Sequence, residues 1–178
     1  VLRAFEDPAV PHPATSVDPA RDLESLQDEL LLNDLIIVER RSGKLAETRQ
    51  KGGGNLQEAD KQLALLARLQ EALSENKPLR ELELSGAERQ AIAGFGLLTL
   101  KPLLIVVNLG EGQDAPALPG TQSPVLSLQG KLEMELAQME PEDASEFLTE
   151  YGLAEPGAQR VIRAAYDLLN TQTFYTVG

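Results

Sequence analysis

The sequence predicts an α/β protein whose chain is interrupted by an inserted helical region. Two short apolar runs, LLIVV at 103–107 and PVLSL at 124–128, alternate with segments of helical periodicity, which is typical of parallel strands in an α/β fold. Residues 18–98 show only helical patterns. We therefore expect an α/β domain formed by residues 1–17 and 99–178, with an antiparallel, coiled-coil-like helical hairpin domain inserted between them.

Composition limits the kinds of function that remain. The 178 residues, 42% of them hydrophobic, suffice for one folded domain or for a domain with an insertion. With 28 acidic and 16 basic residues, the net charge of −12 disfavours nonspecific attraction to nucleic acid or to an anionic membrane. The absence of cysteine excludes disulfides and thiolate metal sites. The single His12 cannot form a metal site alone, so we expect no metal ligands.

The ends of the sequence and its hydropathy bear on processing and location. The sequence has no signal peptide and no apolar run of the roughly 20 residues that span a bilayer, so we expect a cytoplasmic protein without a membrane partner. VLRAF begins the chain without Met, and TQTFYTVG ends it with strand-forming residues. We therefore expect this chain to be the middle of a longer protein.

Two long amphipathic helices are expected in the insertion. Asp18 is a good N-cap and Pro19 suits the first helical position. The glycines at 52–54 end this helix, because glycine costs about 1 kcal/mol in a helix interior. A second helical stripe follows, and antiparallel pairing of the two helices would bury both stripes. The stripe residues are Leu23, Leu26, Leu30, Leu31, Leu35, Val38 and Leu45 in the first helix, and Leu56, Ala59, Leu63, Leu66, Leu69 and Leu73 in the second.

Three shorter helices are expected after the hairpin. Ser85 and Glu88 fit a capping box that starts the first of them. The second starts at Pro141 and ends before Gly152, and the third runs from Pro156 to about residue 170. The apolar pattern of the third helix predicts an inward face, formed by Val161, Ile162, Ala165, Tyr166 and Leu169.

A polar pair follows the first apolar strand. In open α/β sheets, ligands lie outside the carboxyl ends of the strands, and Asn108 and Glu111 come directly after LLIVV. An amide can donate and accept hydrogen bonds, and a carboxylate can accept them from the N–H groups of a flat heterocycle. The pair therefore suits a purine base, although an N-x-x-E pattern alone more often reflects a turn cap and a solvated acid.

Further motifs resemble one family along essentially the whole chain. They are RAFEDP at 3–8, VDPARDLESLQDEL at 17–30, the triple glycine, LLTLKP at 97–102, and the order of strand, NLGE, strand, QGKLE, acidic helix and EPGAQRVIRAAYDLLNTQTFYTVG. Together they resemble the YchF-type, or Obg-like, subfamily of P-loop nucleotide hydrolases. The resemblance implies a partial Ras-like nucleotide-binding domain split by a helical hairpin, and a ribosome-associated regulatory protein that uses ATP or GTP with Mg²⁺ in its full-length form.

The resemblance implies that two loops of this sequence recognise the base. The first loop holds Asn108, Leu109 and Glu111, and the second holds Gln129, Gly130 and Lys131. Leu109 stands where most GTPases have a Lys, and the carboxylate of Glu111 is one methylene longer than their Asp. These differences favour ATP, with GTP as the close alternative.

The sequence lacks the parts that would hold phosphates. No stretch matches the G-x-x-x-x-G-K-[ST] loop or the D-x-x-G switch of the family, and its C-terminal TGS-like domain is also absent. Catalysis in P-loop enzymes rests on those parts and on Mg²⁺. We therefore expect the 178-residue chain alone to bind no nucleotide tightly and to be inactive as a hydrolase.

A second reading makes the chain a non-catalytic helical interaction module on a degenerate nucleotide-binding fold. Gln129, where the family usually has Ser, and the short Gly/Pro-rich connection between the two base loops favour this alternative. A basic cluster near the glycine tip is a candidate contact for RNA or the ribosome, or simply a solvated helix surface. It comprises Arg40, Arg41, Lys44, Arg49 and Lys51.

Overall fold

The structure, a computed structural model, describes residues 1–52 and 55–174. It forms an α/β fold with a small parallel sheet and several helices. The strands are β1 (Leu2–Arg3), β2 (Ile105–Asn108) and β3 (Val125–Leu128). The α-helices are α1 (Pro19–Gln50), α2 (Leu56–Ser74), α3 (Gly86–Ile92), α4 (Gly130–Leu136), α5 (Pro141–Glu150) and α6 (Gly157–Leu169), with 3₁₀ turns at Leu79–Glu81 and Ala93–Phe95.

The sheet has the order β1-β2-β3, and both strand pairs are parallel. Ile105, Val106 and Val107 of the central strand are buried, as expected of a strand covered on both faces. The strand starts two residues later than the apolar run and extends through Asn108, because Asn108 stays in register with Leu128.

The chain divides into two compact units. The α/β unit contains residues 1–23 and the described residues from 102 onward, and the helical unit contains Glu24–Lys101. The core of the α/β unit joins β1, the start of α1 and β2, with three partly buried leucines around it. These core residues are Leu2, Ala4, Leu23, Ile105 and Val107, flanked by Leu103, Leu109 and Leu118.

The helical unit buries part of the predicted apolar stripes of α1 and α2 in one core. The prediction is wrong for Leu26 and Leu56, which are 47% and 53% exposed, and Leu23 lies in the core of the α/β unit instead. Two side-chain contacts join the helices: Arg49 Nε lies 2.6 Å from Asp60 Oδ1, and Gln70 Nε2 donates to Glu39 Oε1 at 3.3 Å. Of the predicted glycine tip, only Gly52 is described. The core residues are Leu31, Val38, Leu65, Leu66, Leu69, Ala72, Leu73, Leu79, Leu84, Ile92 and Leu97.

Local capping signals in the sequence are confirmed. Asp18 Oδ1 accepts the backbone N–H groups of Ala20 and Arg21 at 3.1 and 3.0 Å, which satisfies two donors at the start of α1. At the start of α3, Ser85 Oγ accepts the Glu88 N–H while Glu88 Oε2 accepts the Ser85 N–H. Both halves of the predicted capping box are therefore present.

A buried carboxylate lies within the apolar stripe of α1. Asp34 is fully buried and accepts the Leu98 N–H at 2.9 Å, the Thr99 N–H at 2.7 Å and the Thr99 hydroxyl at 2.7 Å. Thr99 Oγ1 also accepts the Leu79 N–H at 3.3 Å. The LLTLKP segment is thereby fixed to α1 through its backbone, which a sequence pattern of apolar residues could not indicate.

The predicted inward face of α6 is wrong at three positions. Ile162, Tyr166 and Leu169 are 57%, 42% and 58% exposed, whereas Val161 and Ala165 are partly buried. Successive helix residues are about 100° apart, so α6 packs through the stripe containing 161 and 165 and leaves the next stripe outward. The end of the predicted strand-like stretch, residues 175–178, lies outside the described residues. Among the described helices, none is long and apolar enough to cross a membrane.

Candidate functional site

The two base loops predicted from the sequence leave the sheet side by side. Asn108 and Leu128 are register partners at the carboxyl ends of β2 and β3, and the Leu109 N–H donates to the Leu128 carbonyl at 2.8 Å. Because parallel strands end at the same edge, the loops at 109–111 and 129–131 both start there. The structure therefore brings together residues that lie some 20 positions apart in sequence.

Asn108 joins the two loops through its side chain. Its Oδ1 accepts the Gly130 N–H at 2.8 Å, at the start of α4. A Cβ on Gly130 would lie 2.9 Å from both Oδ1 and Nδ2 of Asn108, so only glycine allows this approach. Within the described residues, no group accepts a hydrogen bond from Asn108 Nδ2. This side chain therefore offers a donor to a ligand.

A cavity of about 390 Å³ lies at this edge of the sheet. Its lining includes five of the six predicted base-binding residues, and the sixth, Gly130, contacts Asn108. Lys131 Nζ lies 4.0 Å from Glu111 Oε2, and both side chains are about three-quarters exposed. At that distance and exposure the pair adds little stability, so both groups remain free to engage a ligand. The predicted residues in the lining are Asn108, Leu109, Glu111, Gln129 and Lys131.

Sequence reasoning missed several residues of the same cavity. Glu6 and Asp7 follow β1, so the rule that led to Asn108, a polar residue after a strand, applied to them as well. Arg3 fixes their loop, since its Nε donates to the Phe5 carbonyl at 2.8 Å and its Nη1 to the Val10 carbonyl at 2.7 Å. The missed lining residues are Phe5, Glu6, Asp7, Gly110, Leu132, Glu135 and Tyr151.

The charges of the cavity favour one part of a nucleotide over another. Its lining contains the acids Glu6, Asp7, Glu111 and Glu135 against one cation, Lys131. Carboxylates accept hydrogen bonds from the N–H groups of a base but repel phosphate oxygens. The residues present therefore fit the base of a nucleotide and not its phosphates. Among the described residues, no three acids lie close enough together to hold the Mg²⁺ that accompanies the phosphates.

The helix that carries the second loop also holds α6. Glu133 of α4 accepts the Gly157 N–H at 2.7 Å and the Ala158 N–H at 3.4 Å, so its carboxylate caps the N-terminus of α6. Gly157 is buried, and a Cβ there would lie 2.5 Å from Glu133 Oε1. A side chain at this position would therefore displace the Glu133 carboxylate from the N-terminus of α6.

The basic cluster of α1 does not form one surface. Arg40 and Arg49 are nine residues apart and point about 180° from each other around the helix. Arg49 is paired with Asp60, and the Arg41 guanidinium lies 5.0 Å from the centre of the Phe95 ring. All five residues of the cluster are exposed, with Lys51 just after the end of α1.

Comparison with known proteins gives a consistent result. No protein-family model matches the chain. The ribosome-binding ATPases YchF of Pasteurella multocida and Escherichia coli O157:H7 are 34% and 36% identical to it over 187 residues, and that of Bacillus subtilis is 33% identical over 193. Each alignment covers 100% of this chain and 51% of the relative. The chain therefore spans about half the length of the curated relatives it matches.

A solved structure shows the same architecture. The YchF GTPase of Schizosaccharomyces pombe superposes with a TM-score of 0.84 at 25% identity, over 99% of this chain and 51% of that one. The small parallel sheet and the helices thus define an α/β protein with the fold of that structure. The chain belongs to the YchF family.

Proposed function

We propose that the α/β unit is the base-recognition half of a Ras-like nucleotide-binding domain, in a purine nucleotide-binding and hydrolysing regulatory protein of the YchF type. The observation that carries this proposal is the Asn108 amide. Its oxygen accepts the Gly130 N–H, and its nitrogen is left as a donor beside the cavity. The names of the relatives, ribosome-binding ATPase and GTPase, support the same reading.

Each predicted base residue has a role in this proposal. Asn108 Nδ2 donates to a ring nitrogen of the purine, and Leu109 offers apolar contact to the ring. Because Asn108 Oδ1 already accepts a hydrogen bond, the exocyclic amine of adenine would pair with the Glu111 carboxylate. We propose ATP ahead of GTP as the nucleotide, because Leu109 stands where most GTPases have a Lys and Glu111 is one methylene longer than their Asp. The aliphatic part of the Lys131 side chain packs against the base, and Gln129 lines the cavity beside it.

The triphosphate requires groups beyond this cavity. Mg²⁺, when bound, neutralises phosphate charge and orients it for transfer. The four acids of the lining keep the base end of the site attractive to N–H donors and unattractive to phosphate. The residues of this chain thus select and orient the base, and we assign no catalytic residue to them.

The first experiment is an NMR titration of the isotope-labelled chain with adenosine and guanosine, which carry no phosphate. We expect weak binding, with Kd about 1 mM or above, because a few desolvated hydrogen bonds contribute about 1–3 kcal/mol each. The signals of the Asn108 side-chain amide and the Gly130 N–H should shift. Glu111→Gln should weaken the response to adenosine, and the matched control Glu142→Gln, on the exposed part of α5, should not. Shifts confined to residues outside the cavity lining would contradict the proposal.

A second proposed activity is association with the ribosome through the helical unit, in the cytoplasm. We propose that α1 and α2 form an antiparallel hairpin, inserted approximately between residues 18 and 98. Two contacts support an antiparallel arrangement, because residue 39 of α1 contacts residue 70 of α2 while the later residue 49 contacts the earlier residue 60. The name of the relatives, ribosome-binding ATPase, supports the association itself.

Charge reversal tests this second proposal. The paired change Arg40→Glu and Arg41→Glu should reduce cosedimentation with ribosomes, because it reverses two exposed cations of α1. The control is Lys131→Glu, which reverses an exposed cation of the α/β unit. Unchanged pelleting of the α1 variant would exclude the basic cluster as the contact. It would leave a non-catalytic helical interaction module with another partner as the alternative.

A further inference from the structure

A groove in the helical unit lies apart from the nucleotide cavity. We call it the α1–α3 groove, because α1, α2 and the segment from α3 to the following 3₁₀ turn form its walls. Its volume is about 280 Å³. Its lining residues are Arg41, Lys44, Leu45, Thr48, Gln62, Leu65, Leu66, Ala91, Ile92 and Phe95.

The floor of the groove is apolar. Leu65, Leu66 and Ile92 are buried there, while Leu45 and Phe95 are only partly covered. The volume is below the about 300–1,000 Å³ typical of small-molecule pockets, and it suits one or two inserted side chains. Aliphatic and aromatic side chains of a partner would bury apolar area on this floor.

Cations border the groove without carboxylate partners. Among the described residues, the groove lining contains Arg41 and Lys44 but no Asp or Glu. The guanidinium of Arg41 lies over the Phe95 ring, and neither cation takes part in an ion pair within the described part of the chain. By contrast, carboxylates pair with four other arginines: Arg21, Arg49, Arg68 and Arg163. In a chain of net charge −12, this combination of an apolar floor and two available cations is a distinct recognition surface.

We propose that the α1–α3 groove binds a short acidic peptide segment of a partner protein. An apolar side chain of the peptide enters the floor, and its flanking carboxylates pair with Arg41 and Lys44. RNA fits less well, since the arginine already covers Phe95, the one aromatic ring of the lining, so bases lack a free stacking surface. The proposal depends on neither nucleotide binding nor ribosome association.

Fluorescence anisotropy with three labelled probes tests the proposal on the intact chain. The first probe is a peptide in which Asp and Glu alternate with Leu and Phe, the second replaces Leu and Phe by Ser, and the third is an oligouridylate. We expect the first probe to bind at least about tenfold more tightly than the other two, since about 1.4 kcal/mol of apolar burial gives that factor. Equal binding of the Ser probe, or preferential binding of the oligouridylate, would overturn the proposal.

Variants locate the binding site on the helical unit. Arg41→Glu and Lys44→Glu should each weaken binding of the first probe about tenfold or more, because each replaces an attraction by a repulsion. The matched control is Arg40→Glu, which makes the same charge change at an exposed neighbour outside the groove lining. Ala91→Trp should fill the groove from an exposed position and block the probe without removing a core side chain. Equal losses for Arg40→Glu and Arg41→Glu, or full binding to Ala91→Trp, would place the probe elsewhere.

Discussion

Replacing the buried carboxylate of α1 should destabilise the helical unit severely. Asp34→Ala removes the acceptor of four hydrogen bonds: two from backbone N–H groups, one from the Thr99 hydroxyl and one from Asn33 Nδ2. The hydroxyl can rotate toward another acceptor, but the Leu98 and Thr99 N–H groups cannot, and Thr99 is almost fully buried. The variant therefore leaves two backbone donors without their acceptor, the buried Thr99 N–H and the partly buried Leu98 N–H.

The structure sets the size of this effect. Each unsatisfied buried donor costs about 1–3 kcal/mol, and the lost side chain leaves a small cavity as well. We expect the free energy of unfolding to fall by about 3–5 kcal/mol. Asp34→Asn keeps one acceptor oxygen, so it should lose less, about 1–3 kcal/mol.

Urea denaturation followed by far-UV circular dichroism measures the change, because the long helices of this unit dominate the signal. The control is Asp28→Ala, an exposed acid on the same helix, which should change stability by no more than about 0.5 kcal/mol. A loss below about 1 kcal/mol for Asp34→Ala would refute the reasoning. It would show that the Leu98 and Thr99 N–H groups find other partners.

Four further outcomes follow from the same structure. Gly130→Ala should displace the Asn108 side chain at the end of β2. It should lower the free energy of unfolding by about 1 kcal/mol in urea titrations and abolish the NMR response to adenosine. Gly157→Ala should force Glu133 off the N-terminus of α6 and cost about 1 kcal/mol by the same titrations, whereas Gly86→Ala, with open space around it, should cost nothing. The pKa of Glu88 is lowered mainly because its carboxylate accepts a hydrogen bond from the Ser85 backbone N–H. The original chain should therefore be more stable than the Glu88→Gln variant at neutral pH, and urea titrations should show this difference vanish as the pH falls through the lowered pKa. Phosphate-release assays of the purified 178-residue chain should detect no ATP or GTP hydrolysis, and turnover above the buffer rate would contradict that expectation.

Features that depend on neighbouring residues were predictable from the sequence. The Asp18 cap and the Ser85–Glu88 box each involve atoms within three residues of one another, so local chemistry determines them. The central strand was predictable as well, because a short continuous apolar run between Pro102 and Gly110 indicates a strand covered on both faces.

Features that depend on distant residues were not predictable. The role of Asp34 depends on backbone groups 64 and 65 positions away, and the contact between Asn108 and Gly130 spans 22 positions. The outward stripe of α6 shows the same limit, since periodicity identifies apolar residues but not which of them a neighbouring element covers. For the candidate site, the strand pattern predicted the loop after β2, the family resemblance added the loop after β3, and neither indicated the acids after β1.

The first turn of α4 connects two separate attachments. Gly130 at its start is held by Asn108, and Glu133, three residues later, holds the N-terminus of α6. The helical turn fixes the spacing of residues 130 and 133, so a displacement of Gly130 also moves the carboxylate that caps α6. If a ligand in the cavity moves Asn108, a fluorescent probe attached to α6 is expected to report its binding without contacting the ligand.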